Sequence, residues 1–284
     1  MLAARIHSFG SPISLDNIPI PTPGPNQVLV KVAATSFNPT EMAVRAGILP
    51  VALPFALGWD LAGTVEGSPV VGMLPGGAAA EYAVGSDLVP APTTIPLVQA
   101  AALPLAGMTA WQAVFEHSRV RPGQRVLVNG AGGGIGGFTV QLAKYAGAHV
   151  IATASPRSAP TVLSQGADEV VDYRTPFTLD APVDLVLNIT GFAPAQARAL
   201  VPSIRGPVID VSVPFEPHPD VESRHFVTRN DPADLAALIE LVDGGQVAVD
   251  VTATYPLTSI MAVHELGAAG GIRGKVVIDP RRRG

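Results

Sequence analysis

Val126-Leu127-Val128-Asn129-Gly130-Ala131-Gly132-Gly133-Gly134-Ile135-Gly136-Gly137 is the stretch that decides the fold of this chain. The apolar run Val126 to Val128 suits a strand buried on both faces, and beyond the glycines Ile135, Phe138, Leu142 and Ala146 recur at helical spacing. A strand, a tight glycine turn and a helix N-terminus together make a phosphate site. Small residues let the backbone approach a pyrophosphate, while free N–H groups and the helix dipole favour its charge. A GxGxxG pattern fits Gly132, Gly134 and Gly137; the register Ala131, Gly133 and Gly136 starts directly after the strand, and either register gives the same site. A flexible glycine linker is the competing reading, but a linker would not lie between a compact strand and a periodic helix.

Downstream, strands and helices alternate. Val150-Ile151-Ala152 reads as the next strand, residues 159–165 as a short helix stopped by Gly166, and Val170-Val171, Leu185-Val186-Leu187 and Val208-Ile209 as further strands. Asp231 is a good N-cap, with Pro232 at the first helical position and Leu235, Leu238, Ile239 and Val242 forming one apolar stripe that ends at Gly244-Gly245. This alternation predicts a parallel sheet covered on both faces. Upstream, one or two helices are expected over 97–117, then the turn Arg121-Pro122-Gly123-Gln124. Residues 1–95 are rich in Pro and Gly, with short apolar alternations such as Val28 to Val32 and Gly63-Thr64-Val65 that suit small antiparallel strands. The tail, with the strand Lys275-Val276-Val277-Ile278, resembles that first part in composition. The expected division is therefore 1–95 and 250–284 as one discontinuous domain, with 96–249 as the nucleotide domain.

The end of the second strand separates the dinucleotides. NAD sites usually place an acidic residue there, roughly 20 residues past the first glycine, on the ribose hydroxyls. Here the sequence is Ala152-Thr153-Ala154-Ser155-Pro156-Arg157. No carboxylate is present to repel a 2′-phosphate, Ser155 can donate a hydrogen bond, and Arg157 can pair with the phosphate through its planar fork. NADPH is the expected cofactor; Arg157 as a solvated loop residue is the alternative.

Composition narrows the remaining classes. The chain has 284 residues, 48% of them hydrophobic, enough for well-buried cores. Its formal charge of -5 and lack of basic blocks, apart from Arg281-Arg282-Arg283, argue against a nucleic-acid partner, and that run reads as a solvated, disordered tail. With no cysteine, disulfides and thiolate metal sites are excluded. No segment has signal-peptide or membrane-span character, so a cytoplasmic protein without a membrane partner is expected.

Several short motifs together resemble the zinc-independent quinone oxidoreductase branch of the medium-chain dehydrogenase/reductase superfamily. They are Asn38-Pro39-Thr40-Glu41, Gly58-Trp59-Asp60-Leu61-Ala62-Gly63, Gly76-Gly77 leading to Ala80-Glu81-Tyr82, Leu103-Pro104 with Gly107-Met108-Thr109-Ala110, the glycine turn, and Gly274-Lys275-Val276-Val277. The resemblance covers nearly the whole chain in order. It implies an α/β protein with a GroES-like β-barrel domain formed by both chain ends plus a Rossmann doubly wound parallel-sheet domain. A homodimer is also implied. By position, Asn38 and Thr109 resemble residues that hold the nicotinamide end, Gly133, Gly134, Ile135 and Gly136 line the pyrophosphate, Ser155, Arg157 and Tyr173 surround the adenosine phosphate, and Asn188 lies near the ribose. Each also has a plain structural reading: Asn38 and Asn188 as turn-formers, Thr109 as a helix cap, Tyr173 as a surface aromatic.

Zinc enzymes of the superfamily hold their metal with a cysteine, a histidine and further ligands. Here Trp59-Asp60 stands where the ligand His-Glu pair would, and a catalytic zinc needs about three protein ligands. His7, His117, His149, His218, His225 and His264 show no ligand spacing and read as surface or packing residues. Without a Lewis acid, an acceptor whose developing charge is delocalised is favoured, so the expected substrate is a quinone or other α,β-unsaturated carbonyl, with Asn38 as a positioning residue or oxyanion donor. Enone and enoyl reductases of the superfamily often carry a tyrosine shortly after the NPxD-like motif, and Ala43 to Leu49 contains none. The stretches 65–73 and 212–226 are shorter than usual. An enoyl or enone reductase of a biosynthetic pathway and a non-catalytic NADPH-binding redox sensor remain alternatives.

Overall fold

The computed structural model describes residues 1–282; Arg283 and Gly284 lie outside the described residues. Two compact units emerge from the contacts. One joins Met1–Leu105 to Asn230–Asp243 and the residues from Val251 onward, and the other joins Ala106–Arg229 to Gly244–Asp250. Residues 96–105 and 230–243, assigned by sequence pattern to the nucleotide domain, thus group with the first unit. The helix Pro232–Asp243 starts at Asp231, whose carboxylate accepts from the Ala233 N–H at 2.9 Å, and ends at Asp243, which accepts from the Thr93 and Thr94 N–H groups at 2.9 and 3.0 Å.

The second unit contains a six-stranded parallel sheet in the order Glu169–Val171, His149–Thr153, Arg125–Asn129, Leu185–Asn188, Val208–Asp210, Ser223–His225. The first strand in the chain sits inside and the chain winds outward in both directions, which is the doubly wound order. Val126, Leu127 and Val128 are fully buried, as a strand covered on both faces requires. Helix Gly134–Tyr145 follows this strand, and Ala159–Ser164 follows His149–Thr153. The edge strand Ser223–His225 is polar and exposed throughout, and so carries no apolar signature. The segment 97–117 forms Leu97–Ala100, Pro104–Trp111 and a wide π-turn over Gln112–His117.

In the first unit the long strand Val28–Ser36 organises the sheet. It pairs with Asp60–Val65 along one edge, and along the other with Tyr82–Gly85 at its start and Lys275–Asp279 at its end. Changing partners along one strand, with a bulge between Val32 and Ala34, curls the sheet. The last strand therefore closes a structure begun by the first residues. Ala4, Ile6, Leu57, Ile260, Val276 and Ile278 share one core, which ties both chain ends together. The arginine run is tied down rather than loose where it is described: Arg281 pairs with Asp279 at 3.0 Å, and Arg282 donates to the Thr254 carbonyl at 2.9 Å. No helix among the described residues is long and apolar enough to cross a membrane.

Candidate functional site

The glycine turn lies at the carboxyl end of the central strand. Gly130 adopts φ +87°, a left-handed conformation natural to glycine, and reverses the chain direction. Gly133 is the N-cap of helix Gly134–Tyr145 in extended backbone, with no side chain capping the helix. The N–H groups of the first turn, Gly134, Ile135 and Gly136, have no partner within the helix. Two positions define the cradle. A Cβ on Gly136 would lie 2.1 Å from the Gly130 carbonyl oxygen and 2.6 Å from the Ala131 Cα, so only glycine lets the helix approach the strand this closely. A Cβ on Gly133 would meet nothing nearer than the Gly130 carbonyl oxygen at 3.7 Å, so the space before the helix is open. Open space, unpaired N–H groups and the positive end of the dipole suit a pyrophosphate.

The loop after strand His149–Thr153 stands beside this turn. Ser155 is half-buried, its hydroxyl 3.1 Å from that of Ser158, and Arg157 is exposed. Ser158 packs close enough to the turn that a Cβ on Gly132 would lie 2.5 Å from its hydroxyl oxygen, a contact the sequence did not signal. Tyr173 is 57% exposed, on the loop after strand Glu169–Val171. Thr109 is buried in helix Pro104–Trp111, its hydroxyl 2.6 Å from that of Thr228. Asn188 is fully buried at the end of its strand and engages Asn129 at 2.9 Å and Asp210 at 2.7 Å.

In the first unit Asn38 belongs to a buried ionic cluster. Its amide donates to Asp60 at 2.8 Å and to the Ser36 carbonyl at 3.3 Å, and its Oδ1 accepts from Lys275 Nζ at 2.7 Å. Lys275 also donates to the Phe37 carbonyl at 3.1 Å and pairs with Asp60 at 3.4 Å; Asp60 accepts further from the Ser36 hydroxyl and from the Leu105 N–H at 2.7 Å. Burial pushes the Lys275 ammonium down, while Asp60 and Glu41 hold it up. Residue-by-residue reading of the sequence gave Asp60, Lys275 and Glu41 no role. The available signal was a charge set against apolar runs, Asp60 before Leu61-Ala62 and Lys275 before Val276-Val277-Ile278.

Glu41, whose Oε1 accepts from the Gly58 N–H at 3.0 Å, has its pKa raised from 4.5 to about 8, first by burial and then by Asp60, against the pull of Lys275. His264 is packed edge-on against Phe37, and burial, aided by Arg45, lowers its pKa from 6.5 to about 4. The linkage of the two groups has opposite signs. Glu41 keeps in the folded chain a proton that the unfolded chain releases near pH 4.5, so its stabilisation is complete below that pH and is lost as pH rises through about 8. The contribution of His264 is complete above pH 6.5 and is lost as pH falls through about 4. Of these two groups only Glu41 changes charge differently in the folded and unfolded chain from pH 6.5 to 8, and there it lowers the unfolding free energy by at most about 1.4 kcal/mol per pH unit. Glu41→Gln, which keeps an acceptor for the Gly58 N–H, is expected to flatten that decline in urea titrations across the window; an unchanged slope removes Glu41 as its source.

This donor set does not suit a zinc ion. The chain has no thiolate to offer, and the Asp60 carboxylate is already paired with the Lys275 ammonium.

A mainly antiparallel unit closed by the last strand, together with a doubly wound sheet bearing a glycine turn, defines the GroES-like and Rossmann pairing of an α/β oxidoreductase. A family model described as Alcohol dehydrogenase GroES-like domain matches residues 24–86, and one described as Zinc-binding dehydrogenase matches residues 165–278. The chain is 32% identical to a chloroplast envelope quinone oxidoreductase homolog of Arabidopsis thaliana, over 99% of this chain and 98% of the relative. Among solved structures, the quinone oxidoreductase from Coxiella burnetii superposes with a TM-score of 0.90 at 28% identity, over 99% of each chain. Mycobacterial Rv1454c complexed with NADPH gives 0.87 at 26% identity, over 99% of this chain and 100% of that one. The chain belongs to the zinc-independent quinone oxidoreductase branch of the medium-chain dehydrogenase/reductase superfamily.

Proposed function

We propose that this enzyme binds NADPH and, without a metal, delivers hydride to a quinone or another α,β-unsaturated carbonyl. The observation that carries this reading is the turn in which Gly136 excludes a Cβ while the space before Gly133 stays open, followed by a loop with Ser155 and Arg157 and no carboxylate. Mycobacterial Rv1454c, solved with NADPH, adds support. The N–H groups of Gly134, Ile135 and Gly136 would hold the pyrophosphate, and Ser155 and Arg157 the 2′-phosphate, with Tyr173 beside them. Asn188 is assigned to the ribose end through its backbone, since its amide is spent on Asn129, Asp210 and Val213.

When bound, NADPH supplies the hydride. Thr109 is assigned to the nicotinamide end. Asn38 is better read as a positioning residue than as an oxyanion donor, because both its amide protons are already committed to Asp60 and Ser36. Backbone N–H groups and solvent then meet the developing charge. A conjugated acceptor spreads that charge over its own π-system, so hydrogen bonds suffice where a simple ketone would need a Lewis acid. Rates with benzoquinones, naphthoquinones and short enoyl thioesters, compared at fixed NADPH, separate the quinone reading from an enoyl reductase; tight NADPH binding with no turnover across the panel would mark a sensor.

Arg157→Ala is expected to weaken NADPH by about 1.5–3 kcal/mol, roughly 10- to 100-fold, and NADH hardly at all. Calorimetry with the two cofactors checks this, and equal losses would remove Arg157 from the site. A homodimer is proposed through the exposed edge Ser223–His225, beside which Val227 is 83% exposed; sedimentation velocity tests it. The cysteine-free composition supports residence in the cytoplasm.

A further inference from the structure

A line of buried polar side chains crosses the carboxyl ends of the parallel sheet. Asn129, Asn188 and Asp210 are register partners on adjacent strands, and Thr153 ends the strand on the other side of Asn129. All four are buried. The Thr153 hydroxyl donates to Asn129 Oδ1 at 2.8 Å, Asn129 Nδ2 donates to Asn188 Oδ1 at 2.9 Å, and Asn188 Nδ2 donates to Asp210 Oδ1 at 2.7 Å. The Ser223 hydroxyl closes the far end on Asp210 Oδ2 at 2.7 Å. The remaining amide protons go to the Gly191 and Val213 carbonyls, at 3.0 and 3.3 Å, so neither amide has a proton left for a ligand.

This line is more than sheet packing. Apolar residues would fill the same sites without desolvation cost, so a fully satisfied polar chain needs another reason. Every donor points toward the Asp210 carboxylate, so the dipoles align and each bond polarises the next. The other end of the chain is the glycine turn: the Gly130 N–H donates to Thr153 Oγ1 at 2.9 Å, and the Ala131 N–H to the Thr153 carbonyl at 3.1 Å. Thr153 therefore turns the first two N–H groups of the turn inward. The N–H groups of Gly134 to Gly136 are left to face the open space before the helix.

We propose that Thr153, Asn129 and Asp210 are positioning residues that set the grip of the glycine turn on the pyrophosphate without touching it. The inference rests on the NADPH reading above. Losing the Thr153 hydroxyl orphans the Gly130 N–H and frees that peptide to rotate, which displaces the cradle but not the adenosine 2′-phosphate loop.

The test is calorimetric titration of Thr153→Val, Thr153→Ser and Asp210→Asn with NADPH and, separately, with adenosine 2′-monophosphate, which has the 2′-phosphate but no pyrophosphate. Thr153→Val is expected to lose about tenfold or more in NADPH affinity while its affinity for the monophosphate stays within about twofold; Thr153→Ser recovers to within about threefold of the parent for NADPH. Asp210→Asn, at the far end of the chain, is expected to show the same split at about three- to fivefold, and decides the matter if Thr153→Val does not fold. Unchanged NADPH affinity in a folded variant overturns the proposal. So does a parallel loss of both ligands, which marks general loosening. A parent chain that binds neither ligand instead defeats the NADPH reading itself, and this inference with it.

Discussion

Gly136→Ala is expected to abolish measurable NADPH binding and to cost the fold about 3 kcal/mol, whereas Gly133→Ala, three residues earlier, leaves the fold nearly intact and weakens NADPH alone. The difference lies in what each new methyl group meets. At Gly136 the obstacles are backbone atoms, the Gly130 carbonyl oxygen at 2.1 Å and the Ala131 Cα at 2.6 Å, so the helix must move away from the strand. Overpacking of this kind typically costs 1–3 kcal/mol, and rigid backbone on both sides puts this site at the upper end. At Gly133 the methyl group enters open space 3.7 Å from its nearest neighbour, and the extended backbone there, φ -91° and ψ 177°, accepts alanine. Loss of a favoured N-cap costs about 1 kcal/mol or less. The same methyl group would fill part of the open space proposed to receive the pyrophosphate, so NADPH affinity is expected to fall at least about tenfold. Thermal unfolding combined with NADPH titration separates the two variants; equal stability of both would show that the close contact at Gly136 is not what holds the helix.

The second large effect is expected in the other unit. Lys275→Met leaves the Asp60 carboxylate buried without its cation, and breaking such a pair from one side costs about 3–5 kcal/mol. The same change strips Asn38 Oδ1 and the Phe37 carbonyl of a donor. Adding Asp60→Asn is expected to restore more than half of the loss, because the uncompensated charge, rather than the missing hydrogen bonds, dominates the penalty. Urea unfolding of the single and double variants measures both quantities. A Lys275→Met protein within about 1 kcal/mol of the parent would mean that water reaches Asp60 and the pair is not buried in solution.

The parallel sheet was legible because its signal is local. Val126-Leu127-Val128 and Leu185-Val186-Leu187 are short apolar runs, and the helix after the glycines keeps its period through Phe138 and Leu142. The strand, glycine turn and helix were readable for the same reason, since they are consecutive in the chain. Ser223–His225 was not, because an exposed edge strand of Ser, Arg and His has no apolar face to show. The ionic cluster around Asn38 was hidden differently. Lys275 and Asp60 are 215 positions apart and meet only because the last strand pairs with Val28–Ser36. The polar line through Asn129, Asn188 and Asp210 was equally silent, since register across parallel strands aligns residues that spacing along the chain does not relate.

The most direct test is the rate of naphthoquinone reduction by NADPH after exhaustive chelation, with and without added zinc. The expected result is turnover that chelation leaves intact, that zinc does not raise, and that falls when NADH replaces NADPH. Turnover that disappears with the chelator and returns with zinc would contradict it, as would no turnover at all in a protein that binds NADPH.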